Sequence, residues 1–299
     1  MKAKKQDKIF RVDDTDELLV FLLRKMEGKS RTAVKSLLSH RQVSVNGSVQ
    51  TRHDTPLKAG DSVSIIAGKG NIELRHPKLK LVYEDEYLMV VEKKQGLLTV
   101  AAHPGSQEMT VVSILKSYVR KQNPRNNIYV VHRLDRETSG LLVFAKSVQL
   151  QEYMRSYWRE LVKQRTYIAM AEGHFDKQEG TITTWLTEDK RNAVVYSSPV
   201  DDGGDKAVTH YKVVAEGENN GVPTSLIELH LDTGRTNQIR VHLASIGHPV
   251  VGDRKYGHGN EFSPIDRLCL HARVLEFIHP ATEKTIRFET PIPKEFRVK

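Results

Sequence analysis

The chain has little cysteine: Cys269 is the single one among its 299 residues. An internal disulfide is therefore excluded, and no Cys/His cluster has the spacing of a zinc site. Cys269 stands in an apolar, strand-like run, so we expect a buried structural thiol. These features favour a reducing compartment, and we expect the protein to be cytoplasmic.

Long apolar runs and nucleotide-binding loops are also missing. No stretch approaches the ~20 apolar residues that span a bilayer, and the basic residues 1–8 lack the apolar core of a signal peptide. There is no Walker loop and no dinucleotide fingerprint. We therefore expect no membrane partner, no bound metal and no cofactor.

Acidic residues are the minority charge, with 37 Asp and Glu against 46 Lys and Arg, for a formal net charge of +9. A basic balance suits a polyanionic partner, either nucleic acid or an acidic membrane surface. Aromatic residues make up only 7%, which does not favour broad stacking platforms for single strands. The length allows one large domain and one small one.

Residues 128–146 are the most informative segment. Two apolar, β-prone stretches flank a short polar loop, which predicts strand, loop and strand. Asp135 lies in this loop between Arg133 and Arg136, and neighbouring cations favour the ionised carboxylate. An ionised carboxylate on a loop held by two strands can attack carbon or accept a proton. A polar turn with surface salt bridges is the alternative.

Residues 132–142, His-Arg-Leu-Asp-Arg-Glu-Thr-Ser-Gly-Leu-Leu, resemble the signature of the RluA-type RNA pseudouridine synthases. The resemblance continues in residues 165–169, in the run from Thr233 to Asp253, and in residues 268–272. It implies the catalytic residues Asp135, Tyr167 and Arg240, with the Tyr167 ring stacking on uracil and Arg240 pairing with Asp135. It also implies four substrate-binding residues, His132, Arg133, Arg235 and Leu270.

Three positions depart from the family pattern. Lys94 replaces a proline that would stiffen its turn, Arg165 stands where a lysine is usual, and Asn237 where histidine is common. Asparagine can form hydrogen bonds but cannot titrate. We therefore assign Asn237 no part in proton transfer.

The first seventy residues predict two short helices followed by a hairpin that turns at Asn46-Gly47. Ser30 is the expected cap of the second helix. This region resembles the S-four RNA-binding module, which implies RNA binding through the helix pair. The candidate phosphate contacts are Lys25, Lys29, Arg31, Lys35 and Arg41. A solvated helix face explains these charges equally well.

We predict an α/β fold of α+β type, in which a mixed, mainly antiparallel sheet carries the site. The expected division is an RNA-binding domain at 13–67, a linker at 68–79 and a pseudouridine synthase domain at 80–299. The resemblance implies isomerisation of uridine in structured RNA, most often large-subunit ribosomal RNA and otherwise transfer RNA. The sequence does not indicate the oligomeric state, and we expect a monomer. The alternative is a non-catalytic RNA-binding ribosome assembly factor. A DNA-binding module is disfavoured, because no helix shows a recognisable base-reading arrangement.

Overall fold

The computed structural model describes residues 8–39, 42–66, 73–189, 191–219, 221–259 and 265–298. The chain forms two compact units, Met1–Leu74 with Ile114–Asn127, and Arg75–Ser113 with Ile128–Lys299. Most of the predicted linker's first half, residues 68–72, lies outside the described residues. The domain boundaries given above stay a prediction.

The first unit packs two helices against a small antiparallel sheet. The Ser30 hydroxyl accepts the Ala33 N–H at 3.2 Å, which is the expected cap. Asn46 (φ 51°) and Gly47 (φ 80°) form the tight turn of the hairpin. In chain order the elements are β1 (Lys8–Arg11), β2 (Asp16–Glu17), α1 (Leu18–Lys25), α2 (Arg31–Ser39), β3 (Val43–Val45), β4 (Ser48–Val49), β5 (Pro56–Leu57) and β6 (Ser62–Ile65). The strands of the sheet lie in the order β1-β6-β3-β4, and β2 pairs with β5.

A buried apolar cluster holds this unit together. Leu18 and Leu22 of α1 and Val34 of α2 are fully buried against Val43 and Val63 of the sheet. Leucines at helical spacing and valines in the strands predicted this packing, because each element has one apolar face to bury.

The remaining elements form the second unit, except that α3 spans the division between the two units. They are β7 (Leu79–Glu84), β8 (Leu88–Lys93), α3 (Val111–Gln122), β9 (Tyr129–Val130), β10 (Ser139–Ala145), α4 (Val148–Ser156), α5 (Trp158–Leu161), β11 (Val162–Glu172), β12 (Glu179–Asp189), β13 (Val194–Ser198), β14 (Asp205–Asn219), β15 (Val222–Leu231), α6 (Gln238–Ser245), β16 (Leu270–Ile278) and β17 (Thr285–Glu289).

In the part of the chain that the structure describes, one sheet of eleven strands runs in the order β13-β12-β14-β15-β11-β16-β10-β8-β7, with β17 beside β16 and β9 beside β10. The pairing of β10 with β16 is parallel, and the other described pairs are antiparallel. The mixed, mainly antiparallel fold class is confirmed. Every residue of β10 is buried, which explains the apolar run that follows Ser139.

Ile239, Leu243 and Ile246 stand at the helical positions i, i+4 and i+7, which predicts one buried apolar stripe on α6. The structure differs from this prediction at one end. Ile239 and Leu243 are buried as expected, but Ile246 is 38% exposed. The helix ends at Ser245 and Ile246 is its C-cap, so the side chain no longer faces the sheet. Val241 and His242 are buried instead.

Candidate active site

Asp135 lies on the loop between β9 and β10, as predicted. The two strands pair antiparallel, with Phe144 opposite Val130. Since β10 is hydrogen-bonded to β8 on one side and β16 on the other, the end of the loop at Ser139 is anchored in the middle of the sheet. A loop held this way presents its carboxylate with little conformational freedom.

Buried polar groups under the loop fix its backbone. The Thr99 hydroxyl donates to the Leu134 carbonyl at 2.7 Å and accepts the Leu134 N–H at 3.2 Å. The Arg136 carbonyl accepts from the Gly96 N–H at 2.8 Å and from Lys93 Nζ at 2.9 Å. The backbone is therefore fixed on both sides of Asp135, at Leu134 and at Arg136. Sequence reasoning missed Thr99 and Lys93, because both stand in ordinary strand and turn contexts.

Lys93 is fully buried. Burial lowers the pKa of its ammonium to about 7, although the negative charges of Glu137 and Asp135 act in the opposite direction. Its stem crosses the core, and its nitrogen binds two main-chain carbonyls, those of Lys94 and Arg136. We assign it to positioning the loop.

Gly140 allows the close approach of β10 and β16. Its φ is +122°, and a Cβ there would lie 2.2 Å from the Ala272 carbonyl oxygen. No other residue fits this position. Beside it, the Ser139 hydroxyl accepts from Arg267 at 2.7 Å and lies 2.8 Å from His271 Nδ1.

Arg240, at the start of α6, binds Asp253 more closely than Asp135. Its Nε and NH2 donate to the two Asp253 carboxylate oxygens at 2.7 Å each. Its NH1 donates to Asn237 Oδ1 at 2.9 Å and lies 3.9 Å from Asp135 Oδ2. Arg240 thus faces Asp135 at ion-pair distance while it is held by another carboxylate. The arginines adjacent in sequence do not pair with Asp135, since Arg136 binds Glu108.

Asp253 is fully buried. Burial alone would raise the pKa of its carboxyl, but the Arg240 hydrogen bonds and the Lys255 and Tyr256 amides outweigh burial and lower that pKa. Burial likewise opposes the charge of Arg240, and Asp253 reverses the effect, so the pKa of the guanidinium is raised. The neighbouring Gly252 lies at φ +77°, and a Cβ there would meet the Arg267 carbonyl oxygen at 1.9 Å.

Tyr167 lies on β11, opposite Leu229 of β15 and Ala272 of β16. Its side chain is 9% exposed. Burial raises the pKa of the phenol, and the Asp135 charge adds to this while Arg165 opposes it. The phenol therefore stays protonated at neutral pH.

These side chains meet in a cavity of about 610 Å³. It is lined by the predicted catalytic residues Asp135, Tyr167 and Arg240 and by all four predicted substrate-binding residues, His132, Arg133, Arg235 and Leu270. They come from four separate parts of the chain: the β9–β10 loop, β11, the segment around the start of α6, and β16. Sequence reasoning missed a fifth part of the cavity wall, made by Arg155, Trp158 and Arg159 of α4 and α5.

His132 is a structural member of this wall. Its Nε2 accepts the Val143 N–H at 3.2 Å, and its ring lies 5.0 Å from the Trp158 ring. Desolvation by the surrounding protein, with a smaller effect of Arg165, lowers the pKa of the imidazole to about 3. The ring is neutral at physiological pH and does not supply a proton to a substrate.

Several of the cationic side chains around the cavity have no partner among the described residues. The side chains of Arg133, Arg155 and Arg159 make no hydrogen bond or ion pair with the residues that the structure describes. The carboxylate Asp232, in contrast, binds His210 Nε2 at 3.0 Å. The cavity therefore presents free guanidinium groups, which suits a polyanionic substrate.

In the first unit, Lys25, Lys29, Arg31 and Lys35 are exposed on and around the two helices, and Lys25 forms an ion pair with Asp13 at 3.3 Å. Arg41 lies outside the described residues. Among the described residues, no group of three or more His, Cys, Asp or Glu is arranged to hold a metal ion, and no helix is long and apolar enough to cross a bilayer.

Comparison with known proteins agrees with this geometry. A family model described as RNA pseudouridylate synthase matches residues 87–245, and an S4 (S-four) domain model matches residues 18–63. An uncharacterised RNA pseudouridine synthase of Bacillus subtilis, YhcT, is 33% identical over 273 residues, which cover 90% of this chain and 87% of the relative.

Two further matches extend this likeness. Ribosomal large subunit pseudouridine synthase D of Nitrosomonas europaea is 30% identical over 282 residues, 89% of this chain and 78% of the relative. The solved structure of human RNA pseudouridylate synthase domain containing 1 superimposes with a TM-score of 0.58 at 27% identity, covering 71% of this chain and 83% of that one.

The fold and these matches together define an isomerase that acts on RNA. The chain belongs to the RNA pseudouridine synthase family and carries an N-terminal S4 domain.

Proposed function

We propose that this enzyme converts specific uridines of large-subunit ribosomal RNA to pseudouridine, in the cytoplasm. The relative from Nitrosomonas europaea is named for the ribosomal large subunit, and a basic S4 domain beside a catalytic unit suits a large structured RNA. Transfer RNA is the alternative substrate. The observation that carries the proposal is the meeting of Asp135, Tyr167 and Arg240 in one cavity.

The target base must leave the stack before it can react, because a paired base hides its glycosidic bond. Arg133 is exposed, lines the cavity and makes no side-chain hydrogen bond to the described residues. In our proposal it fills or props the space that the base vacates. The extruded uridine then enters the cavity beside Tyr167, whose ring stacks on the uracil.

Asp135 acts on the uridine once it is inside. The carboxylate attacks C1′ of the sugar, attacks C6 of the uracil, or removes the 2′ proton on the way to a glycal. In each case the C1′–N1 bond breaks and the base is rejoined through C5. Arg240 lies 3.9 Å from the carboxylate and orients it. Tyr167 also takes part in proton handling at C5. No redox change or group donor is involved.

The decisive test replaces Asp135 with asparagine. The amide can neither attack carbon nor accept a proton, so tritium release from C5 of [5-³H]uridine-labelled ribosomal RNA is expected to fall by roughly 10³-fold or more. RNA affinity should stay within a few-fold, because the side chain keeps its shape.

Asp232→Asn is the matched control, since Asp232 is a second carboxylate at the same cavity that is bound to His210. It should release tritium at close to the wild-type rate. Full turnover by Asp135→Asn, or an equal loss in the control, would contradict the assignment. Pseudouridine mapping of ribosomal and transfer RNA with and without the enzyme decides between the two substrates.

A further inference from the structure

A smaller cavity of about 420 Å³ adjoins the active site. It is lined by Arg159, Lys206, Val208, Asp232, Thr233 and Arg235. Four of these residues also line the larger cavity: Arg159, Asp232, Thr233 and Arg235. We call this smaller cavity the side cleft. It continues the active-site cavity outward between α5, the start of β14 and the loop before α6.

Cations dominate the side cleft. Arg159 and Lys206 are exposed, and their side chains make no hydrogen bond or ion pair with the part of the chain that the structure describes. Arg235 pairs with Asp205 at 3.2 Å, and both of these side chains are solvent-accessible. An exposed pair of this kind contributes little to stability, so another anion can take the place of Asp205.

The other charges of the cleft do not cancel these cations. Asp232 Oδ2 is engaged by His210 Nε2 at 3.0 Å. The lining has one apolar side chain, Val208, and no aromatic ring on which a base could stack. Two guanidinium groups and an ammonium around an open cleft match the oxygens of a phosphodiester rather than a base.

We propose that Arg159, Lys206 and Arg235 bind a phosphodiester group next to the target uridine. The proposal rests on the proposed function, because the cleft opens from the cavity that receives the extruded base. Phosphate contacts fix the register of a strand without reading its sequence. Anchoring the backbone beside the vacated position holds the strand while the nucleotide is turned out of the stack.

The test removes the two uncommitted cations together, in the full-length enzyme with Arg159→Ala and Lys206→Ala. The probe is a transcript of the source organism's large-subunit ribosomal RNA labelled with [5-³H]uridine. We expect the KM to rise about tenfold or more, with kcat changed by less than threefold. The slope of log affinity against log salt should become shallower by between one and two units, because each lost phosphate contact removes about 0.7–0.9.

The matched control is Lys212→Ala with Arg297→Ala, which removes the same two charges from exposed positions of the same unit, one of them on β14. It should keep the wild-type KM and salt slope. Three single variants at Lys206 add a further comparison, each with Arg159 unchanged. Lys206→Arg should bind RNA nearly as tightly as the wild type, Lys206→Ala more weakly, and Lys206→Glu more weakly still. Inorganic phosphate at millimolar concentration should not compete with the transcript if the RNA backbone is the ligand.

The proposal is overturned if the double variant matches its control in KM and salt slope. It is also overturned if the loss lies in kcat alone, because the cleft would then serve the chemistry and not the backbone, or if inorganic phosphate displaces the transcript. Each of these outcomes counts only if the wild-type enzyme itself releases tritium from the transcript. Absence of tritium release from the wild type is the separate result that contradicts the proposed function.

Discussion

At the scale of single residues, the site depends on how one arginine is shared between two carboxylates. Arg240 forms a bidentate pair with buried Asp253 and faces the more exposed Asp135 at 3.9 Å. The buried pair fixes the guanidinium, while its NH1 donates to Asn237 Oδ1 and faces Asp135. Asp253 does not line the cavity, so we assign it to positioning Arg240.

Asp253→Asn tests this division of roles. One oxygen and the negative charge are lost, so Arg240 becomes a partly unpaired buried cation, and stability should fall by about 3 kcal/mol. We expect kcat for tritium release to fall about 10- to 100-fold, while RNA affinity is kept. Urea unfolding and steady-state kinetics measure the two effects.

Glu108→Gln is the control for this variant. Glu108 pairs with Arg136 of the same loop, but both side chains are more than 40% exposed, so the loss should stay below about 1 kcal/mol. Equal effects of the two substitutions would show that burial of the Asp253 pair does not matter.

At the scale of elements, buried polar side chains connect neighbouring strands and helices. His242 of α6 lies between the hydroxyls of Thr184 on β12 and Thr209 on β14, at 3.0 and 2.9 Å. Gln238 of the same helix donates to Thr209 Oγ1 and to the Val208 carbonyl, both at 2.9 Å. The helix that carries Arg240 is therefore fastened to the sheet by hydrogen bonds as well as by Ile239 and Leu243.

His271 makes the corresponding connection on β16. Thr290 Oγ1 donates to the Arg273 carbonyl and therefore accepts from His271 Nε2 at 2.7 Å, which leaves Nδ1 of the neutral ring to accept from the Ser139 hydroxyl at 2.8 Å. This arrangement needs a neutral ring. Burial, with the charges of Arg267 and Arg273, lowers the pKa of His271 to about 4, and burial lowers that of His242 to about 4.

These histidines predict loss of stability in mild acid. Between pH 6.5, the ordinary histidine pKa, and about pH 4, the unfolded chain binds more protons than the folded one, so stability falls as the pH falls. By pH 5 each ring should cost roughly 2 kcal/mol of unfolding free energy relative to pH 7.5. Urea unfolding followed by tryptophan fluorescence measures this, because Trp158 and Trp185 both lie in the catalytic unit.

Two variants separate the buried rings from other groups that titrate. His242→Gln should be less stable at pH 7.5 but should lose less on going to pH 5. His174→Gln, at an exposed position of the same unit, should keep the wild-type pH dependence. A pH dependence unchanged in His242→Gln would contradict the assignment.

At the scale of the whole molecule, we expect the two units to make different kinds of RNA contact. The catalytic unit offers a cavity with free arginines around one carboxylate. The first unit offers exposed cations on and before α2. Joined in one chain, two weak contacts bind more tightly than either does alone.

Replacing Lys29, Arg31 and Lys35 by alanine tests the contribution of the first unit. We expect RNA affinity to fall about tenfold near physiological salt, with a shallower salt dependence. Turnover at saturating RNA should be unchanged, because these residues lie outside the catalytic unit. Filter binding over a salt series and tritium release measure the two quantities.

The control removes three other exposed cations of the same unit, Lys8, Arg11 and Lys58. This triple variant loses the same three positive charges, but at positions outside the two helices. If both triple variants lose affinity equally, the helix pair has no special role and only net charge matters.

The sequence by itself determined many of the strands, the two helices of the first unit and seven of the residues that line the cavity. Local patterning sufficed for these, because alternating apolar residues, caps and tight turns act over a few positions. The motif around Asp135 and the runs containing Tyr167 and Arg240 identified the family, and all seven predicted residues of this unit line one cavity.

Only the tertiary structure decided which groups hold and surround those residues. Asp253 as the main partner of Arg240, Thr99 and Lys93 beneath the loop, and the cations of α5 and β14 are joined by contacts between distant parts of the chain. A lysine or an aspartate looks the same in sequence whether it is buried or solvated. Its partners, and therefore its pKa and its role, are set by packing that local patterns do not encode.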